Sequence, residues 1–180
     1  MKYFIHFLTL SRLIIGPIIL ILILVMESYA GALILFIYAS VSDYLDGYLA
    51  RRFNLESTIG EILDPIADKI LTLFLIMTLA IFFDSLFITT TGLIMLSREF
   101  WVSGLRDYNA RNENIFATKV TFFAKLKTTM QFISFGVFLI GITINNTLAI
   151  FLGNFLFFAA MILSIQTAIT YTHASFRNDA

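Results

Sequence analysis

The sequence predicts an all-α integral membrane protein of six transmembrane helices, and three observations predict it. First, 59% of the 180 residues are hydrophobic and only 13% are charged, where a soluble domain carries about 25%; mean hydropathy is +0.89. Second, apolar runs recur along the whole chain, divided by single charges or short polar turns. Third, the lysines and arginines fall on one side of a membrane once those runs are folded into alternating helices. Nothing divides the chain further, so residues 1–180 read as one domain. The chain has no cysteine, which excludes disulfides, thiolate metal sites and thiol nucleophiles. His6 and His173 lie near opposite ends and read as interfacial residues.

Taken in order, the stretch KYFIHFLTLSR is partly amphipathic and reads as a short N-terminal interfacial helix ahead of the first span, approximately residues 10–27. Ser28-Tyr29-Ala30 resembles a signal-peptidase site, but Glu27 beside it favours a retained span. Helices over approximately 29–50, 58–83 and 85–108 are long enough to cross, yet their uncharged runs are short because one end of each carries charge. The run from Lys127 to Arg177 is uncharged and too long for a single crossing at ~1.5 Å per residue. The turn Thr143-Ile144-Asn145-Asn146-Thr147 folds it back, giving helices over approximately 118–143 and 147–172.

Alternating these helices from a cytoplasmic N-terminus gathers Lys2, Arg12, Arg51, Arg52, Lys69, Arg98, Arg106, Arg111, Lys119, Lys125, Lys127 and Arg177 on the cytoplasmic side, which is all 12 Lys and Arg. The outer turns hold Glu27 and Asp84. The Lys/Arg bias sets orientation, so both termini are expected in the cytoplasm. Ionisable residues inside spans are costly, face a cavity and mark function. Chemistry is therefore expected at the cytoplasmic boundary.

Residues 43–69, DYLDGYLARRFNLESTIGEILDPIADK, concentrate that chemistry. Asp43, Asp46, Gly47 and Ala50 are spaced i, i+3, i+4, i+7, one stripe on the second helix. Gly60, Asp64 and Asp68 are spaced i, i+4, i+8, one stripe on the third. The short connection makes the two helices antiparallel neighbours and converges four carboxylates on one pocket. Hard oxygen ligands without His or Cys point to Mg²⁺, Mn²⁺ or Ca²⁺, and a two-ion site suits displacement at phosphorus. Gly47 and Ala50 leave room for a bulky ligand, and Arg51 can fork onto phosphate oxygens. Thr58 and Glu61 form a capping box that opens the third helix near Gly60, and Ser57 stands beside this natural phosphate position. Pro65 is expected to bend that helix near the site. Singly, each of these residues has a structural explanation; the pattern does not.

That pattern resembles the signature of the CDP-alcohol phosphotransferase family, D-x2-D-G-x2-A-R-x8-G-x3-D-x3-D, read here as Asp43, Asp46-Gly47, Ala50-Arg51, Gly60, Asp64 and Asp68 with every spacing intact. The resemblance implies six membrane helices and transfer of a phosphatidyl or similar group from a CDP-linked donor to an alcohol, with release of CMP. It implies metal binding by Asp43, Asp46, Asp64 and Asp68, two ions (Mg²⁺ or Mn²⁺), Asp68 as general base, and contacts to the CDP moiety from Gly47, Arg51 and Ser57. A homodimer is implied in the same way.

For the acceptor, Arg98, Arg106, Lys125 and Lys127 cluster on the cytoplasmic side, more positive charge than a neutral alcohol needs. Arg111 and Lys119 read as anchors. The strings RE-x3-SGLR and K-x-KT-x2-Q resemble the branch of the family whose acceptor is sn-glycerol 3-phosphate, with Ala124 where a glycine commonly precedes the first lysine. The expected partners are thus CDP-diacylglycerol, sn-glycerol 3-phosphate and membrane lipid, not nucleic acid. The rival readings are the same chemistry with another acceptor such as phosphatidylglycerol, a cation or proton transporter using the aspartates as a relay, and a structural scaffold. A transporter predicts carboxylates spread across the membrane; here the outer half offers only Glu27 and Asp84 at its turns.

Overall fold

A computed structural model describes residues 2–53 and 58–177, without the side chains of 2–7, 50, 51, 58, 59, 61 and 115. Among the described residues the protein is all helical. The helices are α1 (Lys2–Leu24), α2 (Tyr29–Arg52), α3 (Thr58–Phe83), α4 (Leu86–Arg111), α5 (Phe122–Thr143) and α6 (Thr147–Phe176), with one 3₁₀ turn at Ile115–Thr118. Four segments are long and apolar enough to cross a membrane: Tyr29–Leu49, Ile62–Phe83, Phe122–Thr143 and Thr147–Phe176. Leu8–Leu24 is a shorter apolar helix, and α4 carries Arg98, Glu99, Arg106 and Asp107 along its second half. The outer surface presents Ile14, Ile18, Ile34, Ile37, Leu73, Met77, Phe151 and Phe155 to its surroundings. That much apolar exposure suits lipid, not water.

The expected break between an interfacial helix and the first span is absent: α1 runs unbroken from Lys2 to Leu24. KYFIHFLTLSR contains no helix-stopping residue, so the helix continues into the apolar run. Pro65 lies inside α3, which also continues through it. The fifth helix starts later than expected because Ile115–Thr118 makes its own 3₁₀ turn and Thr121 caps α5, its Oγ1 accepting from Ala124 N at 3.2 Å.

Three short turns join α1 to α2, α3 to α4 and α5 to α6. Each uses one left-handed residue, Glu27 (φ 52°), Asp84 (φ 43°) and Asn145 (φ 50°). At the last two the chain closes with a Schellman pattern: Ser85 N donates to Ala80 O and Asn146 N to Gly141 O. The same two residues then cap the next helix, Ser85 Oγ accepting from Ile88 N and Asn146 Oδ1 from Ala149 N. One residue thus ends one helix and starts another. Gly141 makes the last turn possible, since a Cβ there would sit 2.9 Å from Ile150 Cγ1.

The core is a set of inward stripes: Ile15, Ile19 and Ile23 on α1, Ala32, Phe36 and Ala39 on α2, Leu71, Leu75 and Leu79 on α3, packed with Phe135, Phe138 and Phe157 of α5 and α6. Helix packing pairs α1 with both α2 and α3, α2 with α5, α3 with α4, α4 with α6, and α5 with α6. Here the structure differs from the sequence expectation. Among the described residues α2 and α3 are not one of these pairs; α1 packs against both. The inward stripes also keep their phase past their apolar stretches. At one end of the bundle Ile15 gives way to Arg12, Ala39 to Asp43 and Asp46, and Leu71 to Asp68 and Asp64, so these charges face the interior by helical geometry alone.

Candidate active site

Arg12 organises this end of the bundle. Its side chain is 0% exposed. Nη1 donates to Asp43 Oδ1 of α2 and, at 2.5 Å, to Asp68 Oδ1 of α3. Nη2 donates to Asp46 Oδ2 of α2 at 2.7 Å and to Asp64 Oδ1 of α3. Each nitrogen therefore bridges the two helices. Thr9, one turn earlier on α1, donates to Asp46 Oδ2 at 3.0 Å. All four sequence-predicted aspartates converge, through a residue that the sequence only counts among the cytoplasmic-side cations. The signal that could have found it is the pair Thr9 and Arg12, polar at i, i+3 on the inward face of an apolar helix.

The centre is a bowl. Asp46 is its floor, 3% exposed. Asp43, Asp64 and Asp68 form the rim, 41%, 43% and 42% exposed. Ligand oxygens of Asp43, Asp46 and Asp64 lie within 4.8 Å of one another. Asp46 Oδ1 is buried with no hydrogen-bond partner, an acceptor that a cation would satisfy. Four carboxylates face one guanidinium, a formal excess of three negative charges. An all-oxygen, charge-rich, partly open set of this kind fits hard divalent cations.

The residues expected at the nucleotide are placed in part. Gly47 is half-buried beside Asp46 on α2, and Gly60 is half-buried one turn before Asp64 on α3. The side chains of Ala50, Arg51, Thr58 and Glu61, and all of Ser57, lie outside the described residues, so the capping box does too.

Beside the bowl, between α3, α4 and α5, is a cavity of about 360 Å³ lined by Asp68, Lys69, Glu99, Ser103, Arg106 and Thr128. A second, of about 480 Å³, is lined by Arg98, Glu99, Arg106, Lys125, Lys127 and Thr128. Glu99, Arg106 and Thr128 line both, so the two adjoin. The four expected cations do share one cavity, but in unequal roles. Arg98 is buried and turned to α6, Nε donating to Ser164 O at 2.9 Å and Nη2 to Thr167 Oγ1 at 2.6 Å. Lys127 is buried and paired with Glu99. Arg106 and Lys125 are exposed. Sequence reasoning also passed over Glu99, and Lys69, whose Nζ donates to Ser103 Oγ at 2.8 Å within the Asp68 cavity.

The family model described as CDP-alcohol phosphatidyltransferase matches residues 5–170. A CDP-diacylglycerol–glycerol-3-phosphate 3-phosphatidyltransferase of Rickettsia typhi is 33% identical over 177 residues, 97% of each chain. The protein of the same name in Wigglesworthia glossinidia brevipalpis is 38% identical over 129 residues, 71% of each chain. That of Shigella flexneri is 32% identical over 171 residues, 93% of this chain and 92% of its own.

Proposed function

The chain belongs to the CDP-alcohol phosphatidyltransferase family, and we propose that it is a CDP-diacylglycerol–glycerol-3-phosphate 3-phosphatidyltransferase. It moves the phosphatidyl group of CDP-diacylglycerol to sn-glycerol 3-phosphate, giving phosphatidylglycerophosphate and CMP in phospholipid synthesis. The observation that carries this reading is a continuity. Asp68 belongs to the four-carboxylate centre and also lines the cavity that, through Arg106, adjoins the basic one. Donor chemistry and acceptor recognition thus meet at one carboxylate.

Asp43, Asp46, Asp64 and Asp68 would hold two divalent ions, Mg²⁺ or Mn²⁺. When bound, such ions neutralise the pyrophosphate and stabilise the attacking and leaving oxygens. The protein's own residues do the rest. Asp68 takes the proton of the primary hydroxyl of glycerol 3-phosphate. The hydroxyl oxygen bonds to the β-phosphorus, the bond from that phosphorus to the bridging oxygen breaks, and CMP leaves with the oxygen. Arg106 and Lys125 hold the acceptor phosphate. Gly47, Ala50, Arg51, Ser57 and Gly60 serve the CDP moiety.

Six helices spanning the membrane, with both termini and the site on the cytoplasmic side of a bacterial inner membrane, fit the one-sided distribution of Lys and Arg. In that placement the acyl chains of the donor stay in the bilayer while its headgroup reacts at the boundary. A homodimer completes the reading. The test is an assay of purified protein in detergent with CDP-diacylglycerol and either glycerol 3-phosphate or phosphatidylglycerol, with and without EDTA. Metal-dependent CMP release with glycerol 3-phosphate alone is expected; release only with phosphatidylglycerol would overturn the acceptor.

A further inference from the structure

Arg12 lies outside the family signature given above, yet it donates a hydrogen bond to each of the four aspartates. Its position is not that of an anchor. An anchoring arginine extends its head to the interface; this one is fully buried, and its Nε has no partner. The head is held by its two terminal nitrogens alone, and each of those is divided between α2 and α3. The oxygens it occupies, Oδ1 of Asp43, Asp64 and Asp68 and Oδ2 of Asp46, belong to the carboxylates that would ligate the ions.

Arg12 leaves one oxygen of each carboxylate free, as at Asp46 Oδ1, but a second cation on the same four carboxylates would sit close to the guanidinium. A guanidinium and a divalent ion within ligand distance of the same carboxylates repel each other, most strongly at the buried floor formed by Arg12 and Asp46. Without any cation, four carboxylates at this spacing repel one another and push α2 away from α3. A single arginine relieves the repulsion and leaves net negative charge to attract metal.

We propose that Arg12 is the internal counter-cation of the metal-free enzyme, and that metal loading is an exchange in which its guanidinium withdraws as divalent ions take the aspartate oxygens. The inference rests on the reading of the aspartates as metal ligands. It makes Arg12 a positioning residue: it keeps the α2 and α3 carboxylates within ligating distance before metal arrives, and it lowers metal affinity below what the carboxylates alone would give. A plain strut, required equally with and without metal, has the opposite signature, because its removal loosens the metal site.

The experiment titrates Mn²⁺ into the full chain in detergent, reading free Mn²⁺ by paramagnetic resonance, for wild type, Arg12→Gln and Arg12→Lys. Thermal unfolding is followed in EDTA and in Mn²⁺. The exchange expects Arg12→Gln to bind Mn²⁺ more tightly by about ten-fold or more, the scale of one lost charge-assisted hydrogen bond. It expects that variant to unfold earlier than wild type in EDTA, with the deficit removed by Mn²⁺, and Arg12→Lys to fall between. If Arg12→Gln does not stay folded in EDTA, it is purified with Mn²⁺ and stripped by graded chelator. Slower loss of Mn²⁺ than from wild type then supports the exchange, and faster loss overturns it. Equal or weaker Mn²⁺ binding by Arg12→Gln, with wild type binding normally, overturns the exchange and leaves the metal centre standing. Wild type that binds no Mn²⁺ overturns the metal centre itself, and the exchange with it.

Discussion

Arg12 Nη2 lies 2.7 Å from Asp46 Oδ2, a fully buried cation against a nearly buried anion. Removing one partner of such a pair strands the other at a cost of about 3–5 kcal/mol. The pair also ties α1 to α2, and through Asp64 and Asp68 the same guanidinium ties α1 to α3. Three helices therefore meet at one charge cluster, which the guanidinium compensates only in part.

Chelation should separate function from fold. EDTA is expected to abolish turnover, because the pyrophosphate then lacks its counter-charges. The fold should persist, because Arg12 still compensates the aspartates. Circular dichroism in EDTA should keep its helical signal with a cooperative melt, and added Mg²⁺ or Mn²⁺ should restore turnover. Loss of helicity on chelation would mean that metal, not Arg12, holds the centre together.

Asp68 and Asp46 should fail in different ways. Asp68 is on the rim and lines the neighbouring cavity, whereas Asp46 is the buried floor. Asp68→Asn should lower turnover by about two to four decades, the usual weight of a general base, while CDP-diacylglycerol still binds. Asp46→Asn should weaken Mn²⁺ binding first, and excess Mn²⁺ should recover part of its turnover. Near-normal turnover by Asp68→Asn would remove it as the base.

Arg98 should matter to stability. Its Nε and Nη2 are spent on Ser164 O and Thr167 Oγ1, which join α4 to α6. Arg98→Lys keeps the charge but cannot reproduce the fork. It is expected to cost about 1–3 kcal/mol, from bonds to a charged group, and to lower the melting temperature in detergent. An unchanged melting temperature would show that the α4–α6 bonds carry no weight.

Much of this was legible in sequence for a physical reason. Carboxylates spaced at helical repeats must share a face, so Asp43 with Asp46, and Asp64 with Asp68, could be read directly. The asparagine-rich turn at Asn145-Asn146 was legible because few residues tolerate a left-handed conformation there. Helix order around the core was not legible. Nothing local in α2 or α3 says that α1 packs against both; that is decided by the inward stripe Ile15, Ile19 and Ile23, which joins the core with theirs. The role of Arg12 was hidden for the same cause. An arginine near the end of an apolar run has the same sequence appearance whether its head turns to the interface or inward, and only its partners on two other helices decide. The division of labour among Arg98, Arg106, Lys125 and Lys127 was hidden likewise, since it depends on Glu99 and on α6.

The proposed acceptor pocket gives the most selective prediction. A glycerol 3-phosphate dianion needs cationic partners that are free to meet it. Lys127 is committed to Glu99 and Arg98 to α6, whereas Arg106 and Lys125 are exposed at the adjoining cavities. Charge-assisted hydrogen bonds of this kind contribute about 1.5–3 kcal/mol each. Arg106→Ala or Lys125→Ala should therefore raise the KM for glycerol 3-phosphate by about one to two decades, with the KM for CDP-diacylglycerol nearly unchanged. Arg106 lines both cavities and Lys125 only the second, so Arg106→Ala should have the larger effect. Arg111, exposed in the last turn of α4, is the control, and Arg111→Ala should leave both constants in place. The measurement is both constants for the three variants in one detergent. Equal effects on the two substrates, or a large effect from Arg111→Ala, would reduce the basic cluster to general attraction for anions and leave the acceptor phosphate to be held elsewhere.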